Sequence, residues 1–545
     1  MAYAGYSKLK ALIVDDFDSF RMTVSKMLQD FGVRDIHSAT SGSEALRLCR
    51  QNAYDLILCD HNLGKGKTGE QVLEDLRHHN ILDSSTLFIL ISAESSRSVV
   101  MAAYDYEPDE YLAKPVTTRS LQRRLDRLMI RRQKMTPIHR AIKAGQIDIA
   151  IALCRKEITA EGRCATQCQK LLGELYLNEE DLDAAEAHYR EVLEHRPLDW
   201  AMLGMARVKR ARDDRLGAEQ WLEQTLQEHP WYMQAYDLQA QLCREQSAPE
   251  RLQKVLEEAV QVSPLSIRRQ QQLGDTALEN NDMATAAQAY RKAVRLGENS
   301  VYDKPEAHLN LARTTASLFQ EAPDLAKKLT RDALKSLGDY ESRFGKDPEL
   351  KAQSLLIEAQ LFAGQGDKRK AEQLLQESQA LLEEGLVLSL DGSLELAKAF
   401  RALGQTEGAG ELLQELAEAH AGNDEQLQKL DRLLEEPVSL KNRKLVAEIN
   451  QAGISHHEAG DYQKAIACFD QALGKFPRHI GVRLNLAQAL LDKMQAQDLN
   501  ETDLLKLNET LSFVAETITP QHEQFRRFRQ LQDLQQQCER KAKLP

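Results

Sequence analysis

Apolar and polar positions alternate in two different rhythms along the first 130 residues. Short apolar runs predict strands, and the stretches between them carry apolar residues at helical spacing. The predicted strands lie at 10–14, 35–38, 55–59, 87–91 and 110–113. The predicted helices lie at 18–31, 42–51, 69–79, 95–105 and 117–132. Strands that alternate with helices in this way are typical of a doubly wound (βα)5 α/β fold with a parallel sheet.

Polar side chains follow four of these predicted strands at the points where the strands end. Asp15 and Asp16 follow the first strand, Asp60 the third, Ser92 the fourth and Lys114 the fifth. Because the carboxyl ends of parallel strands lie along one edge of a sheet, we expect these five side chains to share one site. The set fits a divalent metal site that accepts and holds a phosphoryl group.

This chemistry needs these residue types together. Three converging carboxylates repel one another by roughly 4 kcal/mol per pair at about 4 Å and an effective dielectric of about 20. Mg²⁺ relieves that repulsion because it binds hard oxygen ligands. Lys114 would supply further positive charge beside such a cation and a phosphoryl group.

After about residue 136 the strand pattern ends and a helical pattern begins to repeat. Three copies share a glycine, a small residue and an aromatic residue, and two of them close with a proline. These positions are Gly173, Ala185, Tyr189 and Pro197; Gly274, Ala286 and Tyr290; and Gly453, Ala465, Phe469 and Pro477. Pro197, Pro230 and Pro264 are 33 and 34 residues apart. A period of this length predicts stacked helix pairs, that is, an all-α solenoid.

The predicted architecture is therefore an α/β domain over 1–133 followed by a helical repeat domain over 134–545. The segments 298–306 and 420–444 interrupt the period, as long loops, as irregular helices or as a break between repeat blocks. Residues 521–543 have the polar character of the terminal capping helix that solenoids require. Such solenoids expose a concave surface that binds other proteins, although the sequence does not identify the groove residues.

Charge and composition narrow the function classes. The 545-residue chain has a net charge of −12, and residues 1–134 carry 19 basic and 18 acidic side chains, so the acidity lies in the repeats. An acidic bulk argues against a nucleic-acid binder, and the basic stretch from Arg119 to Lys134 is better explained as a solvated helix face than as a DNA-binding arm. The apolar runs are too short to cross a bilayer, and eight scattered cysteines suit a reducing compartment, so we expect a cytoplasmic protein.

Residues 1–130 resemble a response-regulator receiver domain of the chemotaxis-regulator type, and residues 137–540 resemble tetratricopeptide repeats. The resemblance implies that Asp15 and Asp16 hold Mg²⁺, that Asp60 is a metal ligand and the phosphoacceptor, and that Asn62 offers its backbone carbonyl to the metal. In the same way, Ser92 would be the switch hydroxyl, Tyr111 the switch aromatic and Lys114 the lysine that pairs with the phosphoryl group. Pro115 would follow a cis peptide bond.

Two neighbours of the site bear on how long a phosphoryl group lasts. Asn62 and Glu94 stand two residues after Asp60 and Ser92, at the positions that govern attack by water in the receiver family. Their combination resembles the chemotaxis regulator, which implies a short-lived phosphoryl group. Solvated loop residues without such a role are an equally good interpretation.

The loop after Asp60 departs from the family pattern. Gly64 stands where the family usually has proline, the loop as far as Gly69 is one residue longer than usual, and Lys65 and Lys67 are not part of the pattern. These differences leave the chemistry intact but put the loop geometry in doubt. A receiver-like fold that no longer accepts phosphate is therefore an alternative.

The resemblance implies a bacterial two-component response regulator whose phosphoryl donor is a histidine kinase or a phosphotransfer protein. Phosphorylation would then control binding of a protein ligand to the repeats. The main alternative is a phosphate sink or a constitutive scaffold, and a transcription factor that uses the basic helix is a weaker one. The receiver would catalyse only its own phosphorylation and dephosphorylation, so we do not expect a substrate-converting enzyme. Nothing in the sequence decides for or against a phosphorylation-dependent dimer.

Overall fold

A computed structural model describes residues 5–83, 86–93, 106, 108–345, 347–496 and 500–542. The chain divides into two compact units, Met1–Thr314 and Thr315–Pro545. The first unit contains the parallel sheet and the first block of helical repeats. The second unit contains helices in all of its described residues, apart from the turns and loops that join them.

The sheet contains five parallel strands in the order β2-β1-β3-β4-β5. They are β1 Lys10–Val14, β2 Asp35–Ala39, β3 Leu56–Asp60, β4 Leu87–Ser92 and β5 Glu110–Ala113. Helices α1 Asp18–Phe31, α2 Gly42–Gln51 and α3 Gly69–His78 follow the first three strands, and α4 Thr118–Lys143 follows the fifth. The predicted doubly wound α/β fold is confirmed, and the helix predicted over 95–105 lies outside the described residues.

Alternate residues of the central strands are buried on opposite faces of the sheet, as expected for strands covered on both sides. On one face, Ile13, Leu58 and Ile89 pack with residues of α1 and α4. On the other face, Leu12 and Ile57 pack with residues of α2 and α3. This double cover leaves the carboxyl edge of the sheet as the place where polar side chains gather.

Helix α4 is longer than its predicted span of 117–132. It continues through Pro137 to Lys143, so the predicted domain boundary between residues 133 and 134 falls inside a helix. Met135, Ile138 and Ala141 are buried against the first repeat helices, and this packing favours a continuous helix despite the proline. One helix therefore belongs both to the α/β domain and to the start of the repeats.

Ten further helices begin within the described residues of the first unit. They are α5 Ile147–Thr159, α6 Ala165–Asn178, α7 Leu182–His195, α8 Asp199–Ala211, α9 Arg215–Glu228, α10 Met233–Glu245, α11 Pro249–Val262, α12 Ile267–Glu279, α13 Met283–Gly297 and α14 Pro305–Glu321. Eleven helices follow in the part of the second unit that the structure describes. They are α15 Pro323–Phe344, α16 Pro348–Gly364, α17 Lys368–Glu383, α18 Leu390–Ala402, α19 Thr406–Ala419, α20 Asp424–Leu430, α21 Leu440–Glu458, α22 Tyr462–Lys475, α23 Ile480–Ala496, α24 Glu501–Thr517 and α25 Phe525–Ala542.

The repeated glycine and aromatic positions meet inside these helix pairs. A Cβ atom placed on Gly173 or on Gly204 would lie 2.4 Å from the ring of Tyr189. The same relation joins Gly274 to Tyr290, and Gly453 to Phe469, at 2.8 and 2.6 Å. The recurring glycines are therefore needed because an aromatic ring from the partner helix occupies the space of a side chain.

The two segments that interrupt the repeat pattern have different structures. Residues 298–304 form a loop between α13 and α14, and the segment 420–444 contains the short helix α20 and a turn before α21. Within the described ranges, no helix combines the length and the apolar character needed to cross a membrane.

Candidate functional site

The register of the sheet aligns the strand ends that carry the predicted site residues. Val14 pairs with Cys59, Asp60 with Ile91, and Ser92 with Ala113. The residues at or just beyond these pairs are Asp15, Asp60, Ser92 and Lys114, so their side chains converge on one edge, as predicted.

Asp15, Asp16 and Asp60 form an acidic cluster at this edge. One carboxylate oxygen from each residue lies within 4.8 Å of the others. Asp15 is fully buried and Asp60 is 5% exposed, whereas Asp16 is exposed to solvent. The backbone N–H of Phe17 donates to Asp15 Oδ1 at 2.8 Å, which holds that carboxylate in place.

Lys114 contributes positive charge to the cluster. Its Nζ lies 3.0 Å from Asp15 Oδ2 and 2.8 Å from Asp60 Oδ1, and 4.2 Å from the centre of the Phe20 ring. Burial lowers the pKa of Lys114, but its hydrogen bonds to Asp60 and Asp15 outweigh burial, so the pKa is raised overall. Lys114 is therefore a permanent cation at the site.

Asp60 is the carboxylate that the surroundings destabilise as an anion. Burial raises its pKa, the hydrogen bond from Lys114 lowers it, and the negative charges of Asp15 and Asp16 raise it further, so that the net shift is upward. One lysine thus compensates only part of three acidic charges. Hard oxygen donors with uncompensated negative charge, open to solvent through Asp16, fit a divalent cation such as Mg²⁺.

The loop between β3 and α3, residues 61–68, wraps closely around the cluster. A Cβ atom on Gly69, at the start of α3, would lie 2.1 Å from the carbonyl oxygen of Asp60. Gly64 has a positive φ of 73°, and a Cβ there would lie 3.3 Å from Asp16 Oδ2. The glycine that replaces the usual proline therefore serves a left-handed turn beside the site.

The remaining predicted site residues that the structure describes lie in or just after strands β3 to β5. Ser92 is buried, and its carbonyl accepts a hydrogen bond from the backbone N–H of Lys114 at 2.7 Å. Tyr111 is half-buried against the sheet face that α2 and α3 cover. Asn62 is exposed, and its side-chain oxygen accepts a hydrogen bond from the Gly64 N–H at 3.1 Å. The Lys114–Pro115 peptide bond is cis. Glu94 lies outside the described residues.

The structure also brings residues to this region that the sequence did not indicate. Asn299 and Ser300, in the loop between α13 and α14, contact Lys67 and Glu74 of the α/β domain. These partners are separated by 232 and 226 positions. No local pattern marks such a contact, because it depends on how the repeats return to the sheet domain.

Family comparisons agree with both parts of this architecture. A model described as the response regulator receiver domain matches residues 11–126. Four models described as tetratricopeptide repeats match residues 171–197, 272–333, 391–423 and 456–498.

Individual relatives are similar to the receiver part. Chemotaxis protein CheY-3 of Vibrio cholerae is 30% identical over 123 residues, which are 23% of this chain and 93% of the relative. Chemotaxis protein CheY of Pseudomonas aeruginosa is 28% identical over 123 residues, 23% of this chain and 98% of its own. Among solved structures, CheY4 of Vibrio cholerae is 28% identical over 22% of this chain and 98% of its own, with a TM-score of 0.21. The C-terminal part of a TPR repeat-containing protein from Cytophaga hutchinsonii is 13% identical over 45% of this chain and 95% of its own, with a TM-score of 0.31.

The fold and the acidic site define a signalling protein that joins a receiver domain to helical protein-interaction repeats. The chain belongs to the response-regulator receiver family, and tetratricopeptide repeats follow its receiver domain.

Proposed function

We propose that the protein is a cytoplasmic two-component response regulator that accepts a phosphoryl group on Asp60 from a histidine kinase or a phosphotransfer protein. The receiver would comprise residues 1–133, and the repeats over 134–545 would bind a protein ligand under its control. The observation that carries this proposal is the convergence of Asp15, Asp16, Asp60 and Lys114 at the carboxyl edge of the sheet.

Asp15, Asp16 and Asp60 would hold Mg²⁺ through their carboxylates, with the backbone carbonyl of Asn62 as a further ligand. When bound, the cation neutralises negative charge on the phosphoryl group during transfer. The spread of burial supports this assignment, because two buried acids give fixed ligands and the exposed Asp16 leaves a route to solvent.

Asp60 would act as the nucleophile. One of its carboxylate oxygens attacks the phosphorus of a phosphohistidine, the new P–O bond forms, and the P–N bond breaks so that the imidazole leaves with the electron pair. Lys114 already lies within hydrogen-bond distance of Asp60, and there it can donate to a phosphoryl oxygen on the same side chain. The product is an acyl phosphate that carries about −1.5 to −2 charge where the ionised carboxylate carried a single negative charge.

Ser92 and Tyr111 would convert phosphorylation of Asp60 into a conformational change at the receiver surface. A hydrogen bond from the Ser92 hydroxyl to a charged phosphoryl oxygen is worth about 1.5–3 kcal/mol, enough to shift a two-state equilibrium by about ten- to a hundredfold. The half-buried position of Tyr111 allows its ring to move inward with Ser92. Asn62 and Glu94 would tune attack by water, which makes the acyl phosphate short-lived.

The first repeats offer a groove for a protein ligand. A cavity of about 820 Å³ is lined by the aromatic side chains of Trp231 and Tyr232 and by the cations Arg244 and Arg268. Trp231 is 44% exposed, unlike most large apolar side chains of the repeats. A partly exposed tryptophan among arginines is the composition expected of an interface anchor.

The deciding experiment is a time course of intact mass with Mg²⁺ and acetyl phosphate. We expect one phosphoryl adduct in the native protein and none in Asp60→Asn, and we expect no adduct when EDTA removes the metal before acetyl phosphate is added. Lys65→Ala, a change at an exposed loop residue next to the site, should leave the adduct intact. A native protein without an adduct, under conditions in which a chemotaxis receiver is modified, would contradict the proposal. If the adduct forms but partner affinity does not change, the protein acts as a phosphate sink or a scaffold.

A further inference from the structure

The loop between α13 and α14 contacts the receiver next to the proposed phosphorylation site. We call residues 298–302 the clasp loop. Lys67 Nζ donates to the carbonyl oxygen of Asn299 at 2.6 Å, and Asn299 Nδ2 lies 3.5 Å from the carbonyl oxygen of Gly66. Lys67 Nζ also lies 3.1 Å from Asp75 Oδ2, so one cation joins the receiver to the repeats.

Helix α3 supplies the other side of this contact. Gln71 Nε2 donates to the carbonyl oxygen of Glu298 at 2.8 Å, and Ser300 Oγ donates to Glu74 Oε1 at 2.5 Å. The rings of His78 and Tyr302 meet edge to face with centroids 6.0 Å apart. The contact therefore covers both the end of the loop after β3 and the side of α3 that carries Gln71, Glu74 and His78.

The clasp loop has a fixed shape of its own. The Ser300 N–H donates to the carbonyl oxygen of Gly297 at 2.8 Å, and the Tyr302 N–H donates to Ser300 Oγ at 3.0 Å. Asn299 occupies the left-handed region with φ 69°. A loop that is already ordered loses less conformational entropy on docking than a flexible loop does. A few hydrogen bonds are therefore enough to hold it.

The receiver loop that binds the clasp loop is the same loop that surrounds the acidic cluster. It begins directly after Asp60, passes Asp16 at Gly64 and ends at Gly69 against the Asp60 carbonyl. Between Gly64 and Gly69 stand Gly66 and Lys67, which contact Asn299. A change at Asp60 that moves this loop therefore also moves the groups that hold the clasp loop.

Charge gives the direction of that movement. An acyl phosphate carries about −1.5 to −2 charge, more than the single charge of the carboxylate that it replaces, beside a loop that carries Lys65 and Lys67. Lys67 is 21% exposed, and a neutral carbonyl and Asp75 hold it in the contact. A phosphoryl group on Asp60 would compete with that carbonyl and with Asp75 for this cation, which favours loss of the contact between Lys67 and Asn299.

We propose that the clasp loop is an intramolecular ligand of the receiver and that a phosphoryl group on Asp60 releases it. This inference rests on the proposed function, because it takes Asp60 as the phosphoacceptor. By linkage, the docked clasp loop must weaken binding of a phosphoryl group by the same factor by which that group weakens docking. The repeats thus restrain the receiver until it is phosphorylated.

Hydrogen exchange of the full chain tests the release directly. Mg²⁺ with beryllofluoride serves as the phosphoryl mimic, and the fluorine NMR signal of the bound probe reports occupancy. We expect the amides of residues 298–302 to exchange at least about fivefold faster in the occupied protein, the lower end of typical coupling. Unchanged exchange there in an occupied receiver would overturn the inference and leave the proposed function standing. A receiver that neither binds the probe nor forms an acetyl phosphate adduct would refute both.

Two variants test the reverse direction of the coupling. Gln71→Glu keeps the oxygen that accepts from the Thr68 N–H in the helix cap but removes the donor to Glu298. Lys67→Ala removes the cation, and Lys65→Ala is its matched control, since Lys65 is exposed on the same loop. We expect Gln71→Glu to bind beryllofluoride about fivefold more tightly and Lys65→Ala to be unchanged. Lys67→Ala should gain less than Gln71→Glu, because it loses the cation that attracts the probe together with the restraint. Equal affinity in all four proteins, or weaker binding in Gln71→Glu, would show that the clasp loop does not restrain the receiver.

Discussion

Two single residues of the receiver show how burial changes the pKa of a carboxylate. Asp60 and Glu74 are both nearly inaccessible to solvent, and burial raises the pKa of each. Asp60 is partly compensated by Lys114, whereas Glu74 receives a hydroxyl hydrogen bond from Ser300 of the clasp loop. Burial therefore raises the pKa of both carboxylates. One of them lies in the candidate site, and the other takes part in a contact between distant segments of the chain.

Glu74 should make stability depend on pH. Its pKa is raised to about 7, chiefly by burial, against the lowering effects of Ser300, Lys67 and the Tyr302 backbone. The folded protein then holds a proton that the unfolded chain releases near pH 4.5, so this stabilisation is complete below about pH 4.5 and is lost as the pH rises through about 7.

We expect the free energy of unfolding of the native protein to fall relative to that of Glu74→Gln between pH 5 and 8, by up to about 3 kcal/mol. Urea unfolding at a series of pH values measures this difference. Parallel curves for the two proteins would show that Glu74 titrates normally.

At the scale of helices and strands, packing between neighbouring helices produces contacts that the local sequence pattern does not predict. Tyr189 is 2% exposed and lies against Gly173 of its own helix pair and Gly204 of the next. The sequence identified the recurring glycine and aromatic positions. It did not show that one ring serves two glycines, because the second contact depends on how the pairs stack.

Gly204→Ala should therefore destabilise the repeats. Its Cβ would lie 2.4 Å from the Tyr189 ring, and such overpacking typically costs about 1–3 kcal/mol. Gly408→Ala, in a helix where nothing lies within 4 Å of the new Cβ, should instead be neutral or stabilising by up to about 1 kcal/mol. Thermal unfolding followed by circular dichroism compares the two, and an equal effect would refute the packing argument.

At the scale of the whole molecule, each compact unit contains one segment that interrupts the helical repeats, and the two segments differ in structure. In the second unit, fully buried Asp431 holds the turn before α21. It accepts hydrogen bonds from the Val438 N–H at 2.6 Å, the Ser439 N–H at 3.1 Å and Asn442 Nδ2 at 2.8 Å, and also from the Ser439 hydroxyl. The interruption at 420–444 is therefore an ordered join rather than a flexible linker.

Asp431→Ala should destabilise the second unit by about 3 kcal/mol, since it leaves several buried donors without an acceptor. Stability in repeat proteins passes mainly between neighbouring repeats, so we expect faster hydrogen exchange in α20 to α22 and unchanged exchange in the receiver sheet. Asp424→Ala is the control, because this less buried acid accepts from the Leu440 N–H at 2.6 Å at an exposed turn and should cost below about 1 kcal/mol. Uniform loosening of the whole chain would contradict this account.

The sequence alone determined the α/β fold and the helical repeats, and it predicted the candidate site residues at the strand ends. Each of these follows from short-range patterns: apolar runs of strand length, a polar residue at the end of each run, and a period near 34 residues. The convergence of Asp15, Asp60 and Lys114 was predictable because a parallel sheet aligns its carboxyl ends wherever the strands pair.

Only the tertiary structure decided where α4 ends and what the clasp loop contacts. The local pattern predicted that this helix ends at residue 132, but burial of Ile138 and Ala141 against the repeats carries it on to Lys143. The contact between Lys67 and Asn299 joins residues 232 positions apart through a side chain and a backbone carbonyl. Every residue has a backbone carbonyl, so the contact requires no particular residue type at position 299 and leaves no sequence pattern. The contact forms because the intervening helices bring the two segments together.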